Sequence, residues 1–143
     1  MYKLEESLGY IVRMAQTALH NRLFENFKKD GIDVTPEQWG IMVRLMTNES
    51  ISQSDIAHKS LRNHSSITRI IDTMAQKNLV VRVNHPTDRR TNLISLSSNG
   101  KQLLEKLMKS AERTLEESNA KISPTDMQTC KNVLMQSIKN LTE

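Results

Sequence analysis

The sequence predicts a mainly α-helical chain of six helices interrupted by one small β-hairpin, and three observations point to it. Both ends of the 143 residues carry apolar side chains spaced by threes and fours, the signature of amphipathic helices. Two short β-branched or apolar runs, Leu79 to Val83 and Leu93 to Leu96, flank His85-Pro86-Thr87-Asp88-Arg89-Arg90, which has the turn formers and charge of an exposed loop. The formal charge of +4 is concentrated: residues 62–90 hold six lysines and arginines (62, 69, 77, 82, 89 and 90) against two acids, Asp72 and Asp88, and the remainder is balanced. This length supports one core and not two, so 1–143 is expected to be a single domain.

From Leu4 to Phe27 the apolar positions Leu4, Leu8, Ile11, Val12, Ala15, Leu19, Leu23 and Phe27 draw one stripe. They predict a helix about 40 Å long at roughly 1.5 Å per residue, more than a domain this size needs for its own core, so it is expected to reach a second chain. Lys28-Lys29-Asp30-Gly31 closes it with cations in the last turn and a glycine after. Thr35-Pro36-Glu37-Gln38 opens the second helix with a threonine cap, proline at the first helical position and Gln38 placed to return a capping-box bond; that helix runs to about Thr47. After the polar break Asn48-Glu49-Ser50, Ser52 caps a short third helix over Gln53-Ser54-Asp55-Ile56-Ala57-His58-Lys59, in which Ile56 and Ala57 bury. Asn63 caps a fourth a few residues on, the spacing of a helix-turn-helix. Beyond the hairpin, Ser97 or Ser98 begins a long fifth helix striped by Leu103, Leu104, Leu107, Met108, Ala111 and Leu115. Ser123-Pro124-Thr125-Asp126 then starts a sixth, striped by Met127, Cys130, Leu134, Ile138 and Leu141.

The fourth helix is the most informative. Ile67, Ile70, Ile71 and Met74 recur at i, i+3, i+4 and i+7 and face a core. Opposite them fall Ser65, Arg69, Asp72 and Gln76, flanked by Thr68 and Thr73. Short hydrogen-bonding side chains around one long cation suit a groove of nucleic acid. All five aromatic residues (Tyr2, Tyr10, Phe24, Phe27 and Trp39) precede residue 40, so the basic segment has no rings on which single-stranded bases would stack. Duplex DNA is the expected partner.

Ser65-Ser66-Ile67-Thr68-Arg69-Ile70-Ile71-Asp72, followed by Leu79-Val80, Asp88-Arg89-Arg90 and Leu96-Ser97-Ser98-Asn99-Gly100, resembles the recognition helix and wing of the multiple-antibiotic-resistance regulator (MarR) family of winged helix-turn-helix proteins. The similarity extends upstream through Val34-Thr35-Pro36-Glu37-Gln38-Trp39 and covers nearly the whole chain in order. Asn78 stands where the family commonly has glycine; asparagine is the next best residue at a left-handed helix end. The resemblance implies a homodimer, with residues 1–30 and 100–143 interlocking and residues 31–99 forming the DNA-binding lobe. Its implied function is that of a sequence-specific, ligand-responsive transcriptional repressor.

On that reading the fourth helix enters the major groove of a pseudo-palindromic operator. Arg69 addresses guanine edges, Ser65, Ser66 and Thr68 contact bases or phosphates, and Asn63 and His64 lie beside a phosphate at the helix start. Arg90, ahead of Arg89, enters the minor groove, with Asp88 orienting one guanidinium. Family members also bind phenolic or other aromatic acids in a crevice between the dimer helices and the lobe. Tyr10, Met14, Trp39, Met42, Met46 and Met108 supply adaptable apolar material for such a pocket, with Arg13 or His20 as a polar handle.

Other classes fit poorly. Four glycines and no phosphate loop, nucleophile elbow or paired-carboxylate motif argue against an enzyme. A single cysteine, Cys130, forms no internal disulfide, and the oxidation-sensing members of the family use a cysteine in the first helix, where this chain has none. His20, His58, His64 and His85 lack ligand spacing, so neither metal nor cofactor is expected. No signal-peptide pattern and no run of about 18 apolar residues occurs, which predicts a soluble, unexported, cytoplasmic protein. Hydrophobic residues are 37% of the chain, a thin supply for a core, and a partner subunit would supplement it. The alternative within the fold class is a winged-helix protein-interaction module without DNA binding, which calls for an apolar or acidic recognition face rather than a polar, basic one.

Overall fold

The computed structural model describes residues 3–60 and 63–143. Tyr2 and Arg62, counted above among the aromatics and the cations, lie outside the described residues. A 3-10 turn at Leu4–Glu6 precedes α1 (Leu8–Lys29), α2 (Pro36–Thr47), β1 (Ile51–Ser52), α3 (Gln53–Lys59), α4 (His64–Gln76), β2 (Val80–Asn84), β3 (Asn92–Leu96), α5 (Ser98–Asn119) and α6 (Pro124–Thr142).

Short polar side chains set the helix starts. Thr35, Ser52, Asn63, Ser97 and Ser123 each accept a hydrogen bond from the backbone N–H three residues on, in Gln38, Asp55, Ser66, Gly100 and Asp126 respectively. Each bond satisfies an N–H that the helix leaves open. At Thr35 the Gln38 amide oxygen also accepts from the Thr35 N–H at 3.1 Å, completing the capping box. The same rule overturns one expectation: the first helix does not run unbroken from Leu4. Ser7 is extended and its hydroxyl accepts from the Tyr10 N–H, so α1 begins at Leu8 and spans about 33 Å rather than 40.

The hairpin gains a third strand. β2 pairs with β3 antiparallel from Val80↔Leu96 to Asn84↔Asn92, and β1 pairs with the other edge of β3 at Ile51↔Ile94 and Ser52↔Leu93. Two residues carry no period of their own, and sequence alone makes Ile51 and Ser52 part of a break.

α4 lies over the core. Ile67, Ile71 and Met74 are wholly buried with Phe27, Ile41, Met42, Ile56, Ile94 and Leu107, and Ile70 packs at the edge of this cluster. Burying each such side chain contributes roughly 1.5–3 kcal/mol, so this face cannot rotate outward. α5 is fastened to the end of α4. Asn78 has φ 54°, and its carbonyl accepts from the Ser97 hydroxyl and the Asn99 amide; the Leu79 carbonyl accepts from the Ser97 N–H at 3.0 Å.

α1 and α5 meet through a buried polar contact, Asn26 Nδ2 donating to Thr114 Oγ1 at 2.9 Å. Beside it Arg113 donates to Asp30 at 2.9 Å, and this bond, the first cause, holds the Asp30 carboxyl below its ordinary value. Elsewhere the long helices show apolar faces to solvent: Leu8, Ile11 and Met14 on α1, Leu115 on α5, and Val133, Met135, Ile138 and Leu141 on α6. Among the described residues no helix is long and apolar enough to cross a membrane.

Candidate nucleic-acid interface

With Ile67, Ile71 and Met74 fixed inward, Ser65, Arg69 and Asp72 are fixed outward, and all three are exposed. Asn63 holds the start of the helix: its side-chain oxygen accepts from the Ser66 N–H and the Ser65 hydroxyl, each at 2.8 Å. His64, the first helical residue, is exposed, and Ser66 is half-buried.

Thr68, expected to contact bases or phosphates, also has partners within the chain. Its hydroxyl donates to the His64 carbonyl at 2.9 Å and accepts from the Gln53 side-chain amide at 2.6 Å, so it braces α4 against α3.

The described cations of the segment divide into two groups. Arg82 on β2 pairs with Asp72, tying the wing to α4, and Lys77 pairs with Asp33 at 3.0 Å. Arg69, Arg89 and Arg90 make no ion pair among the described residues and are exposed. The charge available to a polyanion therefore sits on the recognition face and the wing tip.

Asp88 shapes the tip instead of holding a guanidinium. Its carboxylate accepts from the Arg90 backbone N–H and the Thr91 hydroxyl, both at 2.9 Å. These two bonds, the backbone one foremost, keep its pKa below the ordinary carboxylate value. His85 Nδ1 accepts from the N–H groups of Thr87 and Asp88, so the tip is closed by its own hydrogen bonds and the side chains of Arg89 and Arg90 stay free.

The helix start and the wing share a surface. Gln53, Ser54, His64, Arg90, Thr91 and Asn92 line a polar notch of about 110 Å³.

The expected effector residues do not form one pocket. Tyr10, Arg13 and Met14 line an open groove on α1. His20 and Trp39 line another, of about 700 Å³, between α1, α2, α5 and α6, where His20 Nε2 lies 3.6 Å from Glu37. Met46 borders a third beside the wing, Met42 is wholly buried in the core, and Met108 is partly buried on α5. Periodicity told which residues were apolar but not which cavity each would reach.

The model of the MarR family matches residues 34–91, from just before α2 to the end of the wing tip. A putative transcriptional regulatory protein for the hcr operon of Thauera aromatica is 29% identical over 119 residues, which cover 83% of this chain and 71% of that protein. Over residues 34–91, then, the chain matches the MarR family. Two solved structures share its fold. BpsR of Bordetella bronchiseptica, whose DNA binding is regulated by 6-hydroxynicotinic acid, superposes with a TM-score of 0.86 at 18% identity, over 96% of each chain. A mutant MarR from E. coli complexed with operator DNA gives 0.85 at 19% identity, over 91% of this chain and 92% of that one.

Sequence reasoning missed Gln53 and Arg82. Both act through contacts between distant residues, with Thr68 and Asp72, and neither carries a local signal beyond its polarity.

Proposed function

We propose that this chain is a DNA-binding, homodimeric transcriptional repressor of the MarR family, acting in the cytoplasm, with residues 31–99 forming the lobe that grips a pseudo-palindromic operator. α4 lies in the major groove: Arg69 reads guanine edges, Ser65 and Ser66 contact bases or phosphates, and Asn63, His64 and the braced Thr68 set the approach. The wing tip, shaped by Asp88, carries Arg89 and Arg90 to the adjacent minor groove. The observation behind this reading is the inward locking of Ile67, Ile71 and Met74, which leaves an uncommitted Arg69 facing solvent beside two uncommitted wing arginines. A protein-interaction module would present an apolar or acidic face there.

The unpartnered apolar faces of α1 and α6 support pairing through residues 1–30 and 100–143. A two-fold pair would set its two α4 helices about one duplex turn apart. The groove lined by Trp39 and His20 is the best seat for an aromatic acid, and a ligand there would alter how lobe and long helices meet. The regulation of BpsR by 6-hydroxynicotinic acid supports this class of effector.

Electrophoretic mobility shift against the gene's own upstream region tests the core of the proposal. Retention that unrelated DNA does not compete away is the expected result. Equal retention of both fragments would rule out operator recognition.

A further inference from the structure

A duplex engaged by α4 in one groove and by the wing in the next must run one sugar-phosphate strand between them. We place the notch there, since it opens between the start of α4 and the tip of the wing, so any role for it in binding rests on the proposed DNA reading. Its walls come from three elements: Gln53 and Ser54 of α3, His64 of α4, and Arg90, Thr91 and Asn92 leading into β3.

The chemistry of the walls selects an anion. Among the described residues, no carboxylate lines the notch, and one cation does. The nearest acid on the wing, Asp88, is occupied by the Arg90 N–H and the Thr91 hydroxyl. The side chains of Ser54, His64, Arg90 and Asn92 make no hydrogen bond with other described residues, whereas Gln53 is held in place by its bond to Thr68. Size selects further. About 110 Å³ is well below the roughly 300–1,000 Å³ of pockets that enclose drug-sized ligands, and it suits a single phosphodiester group.

We propose that this notch seats one backbone phosphate of the strand between the two grooves, held by Ser54, His64 and Asn92 with Arg90 alongside. Such a contact carries no base preference; it fixes the register of helix and wing on the duplex. Ser54 and Asn92 thereby join the DNA-contacting residues, and His64 acquires a specific partner.

Neutral methylphosphonate linkages, placed one at a time through the retained upstream fragment, test this in mobility shifts. For the wild-type chain, one linkage per half-site flanking the α4 contact should weaken binding by roughly three- to tenfold. In His64→Ala, and in a Ser54→Ala/Asn92→Ala double variant, that same linkage should cost nothing further while the other sensitive linkages keep their effect. A merely structural role for these side chains would lower affinity at every linkage alike and would overturn the inference, as would a wild-type scan with no such position. Failure of the wild-type chain to retain its own upstream DNA would overturn the DNA reading and the notch together.

Discussion

A methyl group on Gly100 would overlap the carbonyl oxygen of Leu79. That carbonyl also receives the Ser97 N–H, so backbone meets backbone where α5 leaves the sheet, and no flexible side chain is available to yield. Gly100→Ala should therefore destabilise the fold by about 1–3 kcal/mol despite alanine's better helix propensity. Urea unfolding of the two proteins gives the comparison, and an unchanged midpoint would show that the junction relaxes freely.

Asn78 supports the same junction through its left-handed backbone. Asn78→Ala should lose about 1 kcal/mol, since an ordinary side chain resists that conformation, whereas Asn78→Gly should not. Thermal melts of the pair decide it: equal losses would mean that the asparagine side chain, and not its backbone angle, matters.

Arg69 is the long cation of the exposed α4 face. Arg69→Ala should weaken operator binding by roughly 1–3 kcal/mol and relax sequence preference at one base step. Titration against fragments varied at single positions measures both effects. Unaltered preference would place α4 elsewhere on the duplex.

Arg89 and Arg90 extend from a loop closed by its own hydrogen bonds, so replacing both with alanine should leave the tip folded. Affinity should fall, and the slope of its logarithm against the logarithm of salt concentration should flatten by up to about two. A variant retaining the wild-type slope would put the tip outside the interface.

Asp30 contributes a pH dependence of known sign. Its pKa is lowered from 3.8, first by the Arg113 hydrogen bond, so the stabilisation is complete above that value and disappears as pH falls through the lowered one. Asp30→Asn should thus be less stable than wild type at neutral pH, with the gap closing under acid. A gap independent of pH down to about 3 would assign the effect to packing.

Much of this architecture was readable in the chain because its causes are local. Asn63 announces α4 by being a short acceptor three residues ahead of an open N–H, and Ile67, Ile71 and Met74 announce its buried side by their spacing. Thr35, Ser52, Ser97 and Ser123 speak in the same way. Ser7 offers the same chemistry but stands among leucines that continue the helical period, and the period masked the cap. Ile51 and Ser52 became a strand only because β3 had a free edge beside them. The functional details escaped for a related reason. Whether Asp88 meets a guanidinium or its own loop, and which groove each methionine borders, depends on distances between segments that no spacing along the sequence encodes.

The contact between Asn26 and Thr114 has a mechanical corollary. Two polar groups enclosed by α1 and α5 meet at a single axial offset, and sliding the helices past one another would strand the Asn26 amide, while the Thr114 hydroxyl kept its bond to the Ser110 carbonyl. The pair of rods therefore resists slip as a keyed shaft does.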